Sequence, residues 1–253
     1  EGSNLSQIID VLAYNTYITS YNANMVSNEV FLDSATLREN VVSLARNIGY
    51  VPRSRKAARA NINFQLDTRT YTSVPEQVTL NKGTVLTTSS FRKTNYVFSI
   101  LDDVTVQVLD NIATFENIDV YEGTYVTTNF TVNSLIPNQR FIIPNSGVDT
   151  STIRVMVKPN QNSDISRKYR QSDSLFNVTS ESPVYWIQES ADERYELIFG
   201  DGVFGNKLED SNYIEVSYLI TNGEDGNGIS EFDFVGKLTS TREANALSSG
   251  ISF

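Results

Sequence analysis

The hydrophobic period of this chain changes once, at Ala60, and that change limits the folds open to it. Before Ala60 apolar residues recur at helical spacing; after it they alternate with polar residues in short runs. Asn4, with Gln7 three residues on, reads as the cap of a first helix. Along that helix Leu5, Ile8, Ile9, Leu12, Ala23 and Val26 lie on one side, with Thr16 and Thr19 continuing the line. Tyr14, Tyr17, Ile18, Tyr21 and Met25 follow the same spacing on roughly the opposite side. A helix apolar on two sides needs neighbours on two sides, so both stripes are candidates for an assembly interface. Thr36 with Glu39 repeats the capping pattern before a second helix, whose stripe is Leu37, Val41, Leu44 and Ile48 and which Gly49 and Pro52 end. The reading for residues 1–58 is an N-terminal helical hairpin that serves as an assembly segment.

After Ala60, Ile62, Phe64 and Leu66 alternate with polar residues, and runs such as YVFSIL (96–101) and VTVQVL (104–109) are separated by Asn, Asp, Gly and Pro. Runs at 110–120 and 124–132 flank Glu122-Gly123, which reads as a hairpin turn. Turn signals about every ten residues point to antiparallel β structure. Residues 159–174, KPNQNSDISRKYRQSDS with its leading lysine, have few large apolar side chains and read as a linker or long loop. The expected fold class is therefore α+β: a helical hairpin, then two mainly antiparallel β modules at 59–160 and 161–240, and a C-terminal segment at 241–253. Trp186, in the apolar run PVYWI, is expected in the core.

Composition narrows the chemistry. The chain has neither cysteine nor histidine, which removes thiolate nucleophiles, Cys-based metal sites and every dyad that uses a histidine base. No stretch of ~18 apolar residues is present to span a membrane. A net charge of -10 argues against general nucleic-acid binding, which demands a basic surface. The charge is uneven: residues 181–233 hold thirteen acids against two bases, Arg194 and Lys207, whereas Arg53, Arg55, Lys56 and Arg59 form a basic hook. Such complementary patches suit protein subunits meeting face to face, although solvated turns explain them equally well.

Gly200-Asp201-Gly202-Val203-Phe204-Gly205 matches a dinucleotide-binding pattern formally, but only about ten polar residues separate it from the next strand, leaving no room for the helix that must hold the pyrophosphate. A glycine-enabled hairpin is the better reading. Asp201, Asn206, Glu209 and Asp210, or Asn222, Glu224, Asp225 and Asn227, offer oxygen atoms suited to calcium without the EF-hand order. Asp201 with Glu209 is a carboxylate pair of the type a glycosidase uses, yet thirty acids make some such pair inevitable. The residues thus favour a non-enzymatic protein with no cofactor. A carbohydrate-binding or calcium-dependent adhesion module is the first alternative, and a carboxylate glycan hydrolase the second.

Residues 195–228, YELIFGDGVFGNKLEDSNYIEVSYLITNGEDGNG, join two strand-like runs through glycine-rich turns. With Phe199, Gly200, Asp201, Gly202, Gly205, the run 214–218, Gly226 and Asn227 on the matching positions, this segment resembles the baseplate J-like family of contractile-tail phages. Residues 1–60 resemble the helical entry of the wedge subunit of T-even-type phages. After Gly205 many members have proline where this chain has Asn206-Lys207-Leu208. The resemblance implies a virion protein of the tail baseplate, assembled in the host cytoplasm. Its implied partners are other wedge subunits and copies of itself, with neither nucleic acid nor membrane, and its implied role is joining wedges into a ring around the tail hub. It also implies a longer parent chain, of which Glu1 to Phe253 is an internal fragment.

Overall fold

In the computed structural model, residues 4–48, 54–69, 74–88, 93–190, 193–240 and 251–252 are described. The chain forms two units, 1–53 and 54–253. The first contains α1 (Asn4–Glu29) and α2 (Arg38–Asn47). No residue of α1 is buried, so α2 does not cover either of its stripes and the packed helical hairpin expected from the sequence is not formed. Among the described side chains of α2, Ala45 is buried.

The second unit is built of strands. The first sheet comprises β1 (Arg59–Asp67), β2 (Gln77–Leu80), β3 (Gly83–Thr87), β4 (Val97–Ile100), β5 (Val104–Leu109) and β6 (Ile112–Glu122). The second comprises β7 (Thr124–Thr131), β8 (Phe141–Ile142), β9 (Arg154–Lys158), β10 (Arg167–Gln171), β11 (Val184–Glu189), β12 (Tyr195–Phe199) and β13 (Tyr213–Ile220). The chain then returns to the first sheet with β14 (Asp233–Phe234), β15 (Leu238–Ser240) and β16 (Ile251–Ser252). Strand order is β14-β3-β4-β6-β5-β2-β15, with β1 on β6 and β16 on β1, in the first sheet, and β7-β13-β9-β10-β11-β12-β8 in the second. Among the described residues all ladders are antiparallel except β10 with β11. These elements make the protein mostly β, 40% strand and 19% helical, which overturns the α+β expectation. The physical reason is that an α+β domain packs helices onto its sheet, whereas among the described residues both buried apolar clusters are made of strand and loop residues alone.

Each sheet encloses its own core. In the first, Phe64 and Phe115 stack at 4.6 Å between ring centroids. In the second, Phe130 of β7 meets Phe141 of β8 edge-on at 5.8 Å, so the two ends of the strand order approach each other and the sheet curls. Three local expectations are corrected. The segment 159–174 is no linker, because β10 lies within it and pairs on both sides; only Tyr169 of that strand is buried, which hid it in the sequence. Trp186 is half-buried, and the core position of its strand belongs to Tyr185. Glu122-Gly123 is not a hairpin turn, since β6 and β7 belong to different sheets; a tight turn instead joins β5 and β6 at Asp110 and Asn111, with φ of 52° and 66°.

Glu122 and Gly123 form the crossing between sheets. The phase of β6 shifts at Asn117, whose φ is 56°, so that Ile118, Val120 and Glu122 fall on the buried face together. The Glu122 carboxylate, 1% exposed, accepts the Thr221 hydroxyl at 2.6 Å, the Asn222 backbone N–H at 3.1 Å and its side-chain amide at 2.8 Å. Gly226 lies against it so closely that a Cβ there would sit 2.8 Å from the Glu122 Cγ. Gly123 donates its N–H to Val97 and accepts the Ser99 hydroxyl, and a Cβ at Gly123 would meet the Ile220 carbonyl oxygen at 2.7 Å. One carboxylate therefore joins the strand that leaves the first sheet to the segment that follows β13.

Candidate assembly surfaces

α1 presents both of its sequence-predicted stripes. Leu5, Ile8, Ile9 and Leu12 on one side and Tyr14, Tyr17, Tyr21 and Met25 on the other are exposed, while Ile18 is half-buried. Exposure of apolar side chains on both sides of one helix of 26 residues is more than isolated surface residues account for.

The end of α1 organises the start of α2. Glu29 accepts the Thr36 backbone N–H at 2.9 Å and hydroxyl at 2.7 Å, the Leu37 N–H at 3.3 Å and the Asn40 side-chain amide at 2.8 Å. These donors include N–H groups that a helix start leaves without an intrahelical partner. The capping carboxylate thus comes from the preceding helix, where the sequence pattern had pointed to Thr36 and Glu39. The Asn40 amide first, then Thr36 and Leu37, hold the Glu29 carboxyl down at about 2 from its ordinary 4.5. A depressed pKa adds stability that is present above the unfolded value and is lost as pH falls towards the folded one. The helical signal of the 1–53 unit is therefore expected to hold above pH 4.5 and to decline between there and about 2. Glu29→Gln should lower the signal at neutral pH and flatten it across that window in circular dichroism; an unchanged titration would refute the capping role.

The basic hook is partly satisfied within the chain. Arg55 lies 3.6 Å from Glu193, and Arg59 pairs with Asp119 while its guanidinium carbon sits over the Tyr121 ring, 5.9 Å from the centroid. Lys56 is exposed, and Arg53 lies outside the described residues.

The glycine-rich segment after β12 is a pinned loop. β12 and β13 are not ladder partners, so it is not a hairpin, and no helix opens at Val203. Gly202 and Gly205 take φ of 93° and 84°, which suits residues without Cβ. Asp201 Oδ1 accepts the N–H groups of Val203 and Phe204, both at 2.8 Å. The Phe204 bond, then the Val203 bond, hold its carboxyl below the usual range, which suits an ionised acceptor and not a general acid at neutral pH. Asp210 is likewise lowered by the N–H and hydroxyl of Ser134. Gly226 ends a short 3-10 turn, Gly223–Gly226, and Asn227 follows in extended conformation with its N–H on Glu224. Among the described residues no three Asp or Glu side chains gather as metal ligands.

Two comparisons with known proteins bear on this architecture. Residues 126–223 match the family model described as bacteriophage baseplate wedge protein gp6, third domain, a span running from β7 to just beyond β13 and so covering the second sheet. The chain is also 28% identical, over 97% of its length, to baseplate wedge protein gp6 of Enterobacteria phage T4. It spans 38% of that relative. In its second sheet by the family match, and along nearly all its length by identity, the chain is similar to the wedge proteins of T4-type phage baseplates.

Proposed function

We propose that this chain is part of a structural subunit of a contractile-tail baseplate wedge, acting through protein contacts and carrying no catalytic activity. The observation that carries the assembly reading is α1, an uncovered helix with apolar side chains on opposite sides. Its occupants are other wedge subunits and copies of the same chain, and the ring that joins wedges around the tail hub is the assembly it serves. The place of action is the virion tail, reached after assembly in the host cytoplasm. A closer relation to the baseplate J-like proteins rests on the positions of Phe199 to Gly202 and Gly205. The similarity to a wedge protein supports this reading; the absence of histidine and cysteine leaves little for an enzymatic one.

At roughly 25 cal/mol per Å2 of apolar surface, covering several of these side chains favours association by several kcal/mol before ordering costs are met. Changing Tyr14, Ile18 and Tyr21 together to Ser is therefore expected to leave the β unit folded while abolishing self-association or incorporation into wedges. Near-ultraviolet circular dichroism and sedimentation of the full-length subunit with its neighbouring tail proteins provide the check. Normal assembly of this triple variant would place the principal interface elsewhere.

A further inference from the structure

We infer that the loops at one end of the second sheet form a protein-docking surface for a chain that presents an apolar patch framed by lysine and arginine. The inference rests on the structural reading above for its setting, and on four loops for its content. The ladders place the C-terminal ends of β7, β9 and β12 beside the N-terminal ends of β8, β10, β11 and β13. Segments 132–140, 159–166, 172–183 and 200–212 therefore share this end or return to it. The glycine-rich loop 200–212 holds them together by hydrogen bonds. Its Asp210 accepts the Ser134 N–H at 2.8 Å, its Asn212 amide reaches the Pro159 carbonyl at 3.4 Å, and Gly205 and Asn206 donate to Thr179 and Ser182 at 3.0 and 2.8 Å.

Every one of these loops carries a large apolar side chain in solvent. Leu135 and Phe176 are each 88% exposed, Ile165 is 76% and Val203 is 65% exposed. Single exposed apolar residues are ordinary; here each of four loops that hydrogen bonds gather around the 200–212 segment carries one. Val203 and its neighbour Phe204 are also held in place: Asp201 binds both their N–H groups and Gly202 donates to Gly205 at 3.1 Å. Leu208 of this loop packs against the core of its sheet, whereas Val203 is turned to solvent on a pinned backbone, which reduces the ordering cost of binding.

Charge selects the occupant. The four loops contain Asp164, Asp173, Glu181, Asp201, Glu209 and Asp210 against Arg140 and Lys207, and Arg140 is already paired with Glu196 at the sheet edge. A second copy meeting this surface with the same surface would set acid against acid, on a chain whose net charge is -10. A basic rim on a different protein removes that repulsion and steers approach.

The test is hydroxyl-radical footprinting of the full-length subunit, alone and in tails purified from virions, combined with zero-length carbodiimide cross-linking of the tails. Oxidation of Phe176 and Phe204 is expected to fall about tenfold on assembly, with Asp201 or Glu209 joined to lysines of another protein. A Val203→Ser, Phe204→Ser double variant should keep its thermal unfolding curve and lose the protection of Phe176. Undiminished reactivity in tails that contain the chain would overturn this inference alone. Cross-links to the same loops of a second copy would overturn the assignment of the partner. Absence of the chain from purified tails would overturn the functional reading and this inference with it.

Discussion

Glu122→Ala is expected to destabilise the β unit by about 3 to 5 kcal/mol, because it strips the acceptor from three buried or half-buried donors at once. Each stranded donor costs about 1 to 3 kcal/mol. For a unit of this size the melting temperature should fall by about 10 °C. Glu122→Gln keeps the volume but turns an amide N–H group towards donors, so it should lose about 2 kcal/mol and not be neutral. Urea unfolding followed separately by near-ultraviolet circular dichroism and tyrosine fluorescence tests this. The carboxylate joins two sheets, so its removal should also separate one unfolding transition into two. Wild-type behaviour of Glu122→Gln would mean that shape alone holds the crossing.

Gly200→Ala is the second large effect, and its cause differs from that of the neighbouring glycines. A Cβ at Gly200 would lie 2.2 Å from the Gly205 carbonyl carbon and 2.3 Å from its oxygen, both backbone atoms. Relief requires parting the loop, with loss of the Gly202–Gly205 and Gly205–Thr179 hydrogen bonds, at about 2 to 3 kcal/mol. Gly202→Ala meets nothing closer than the Lys207 Cβ at 3.6 Å, so only its positive φ opposes the change, at about 1 kcal/mol. Denaturation midpoints should therefore fall more for Gly200 than for Gly202. The reverse order would show that backbone conformation, and not contact, governs this loop.

Both stripes of α1 and the strand runs of the β unit were legible because each depends on local spacing. What escaped was whatever depends on a partner distant in the chain. β10 shows a single buried tyrosine between charged neighbours, and only its pairing with β9 and β11 makes it a strand of the sheet interior. Glu122 lay in phase with Ile118 and Val120, a sign that a carboxylate occupied a core-facing position, but a Glu-Gly pair also has the look of a turn. Glu29 caps a helix that begins nine residues later, beyond the three-residue reach of the capping-box pattern. Of the proposed assembly surfaces, the helix was visible as periodicity. The loop end was not, because its apolar residues are scattered through four polar segments that only the ladders bring together.

The way the second sheet interrupts the first bears on the order in which the chain takes shape. β15 completes its ladder with β2, and Thr239 bonds to Asn81 across 158 positions of sequence. Formed directly from an open chain, that contact would carry the closure entropy of everything between. The intervening sheet removes most of this cost if it condenses first, since Glu122 and Thr221, 99 positions apart, then become neighbours. To the outer sheet, the whole insert then counts as a short connector, and each halving of effective loop length is worth about 0.6 kcal/mol. During synthesis the inner sheet emerges complete while β14 and β15 are still to come. A damaged clamp at Glu122 would therefore slow the last step of folding as well as weaken its product, leaving the unpaired edge of β2 exposed to other nascent chains for longer.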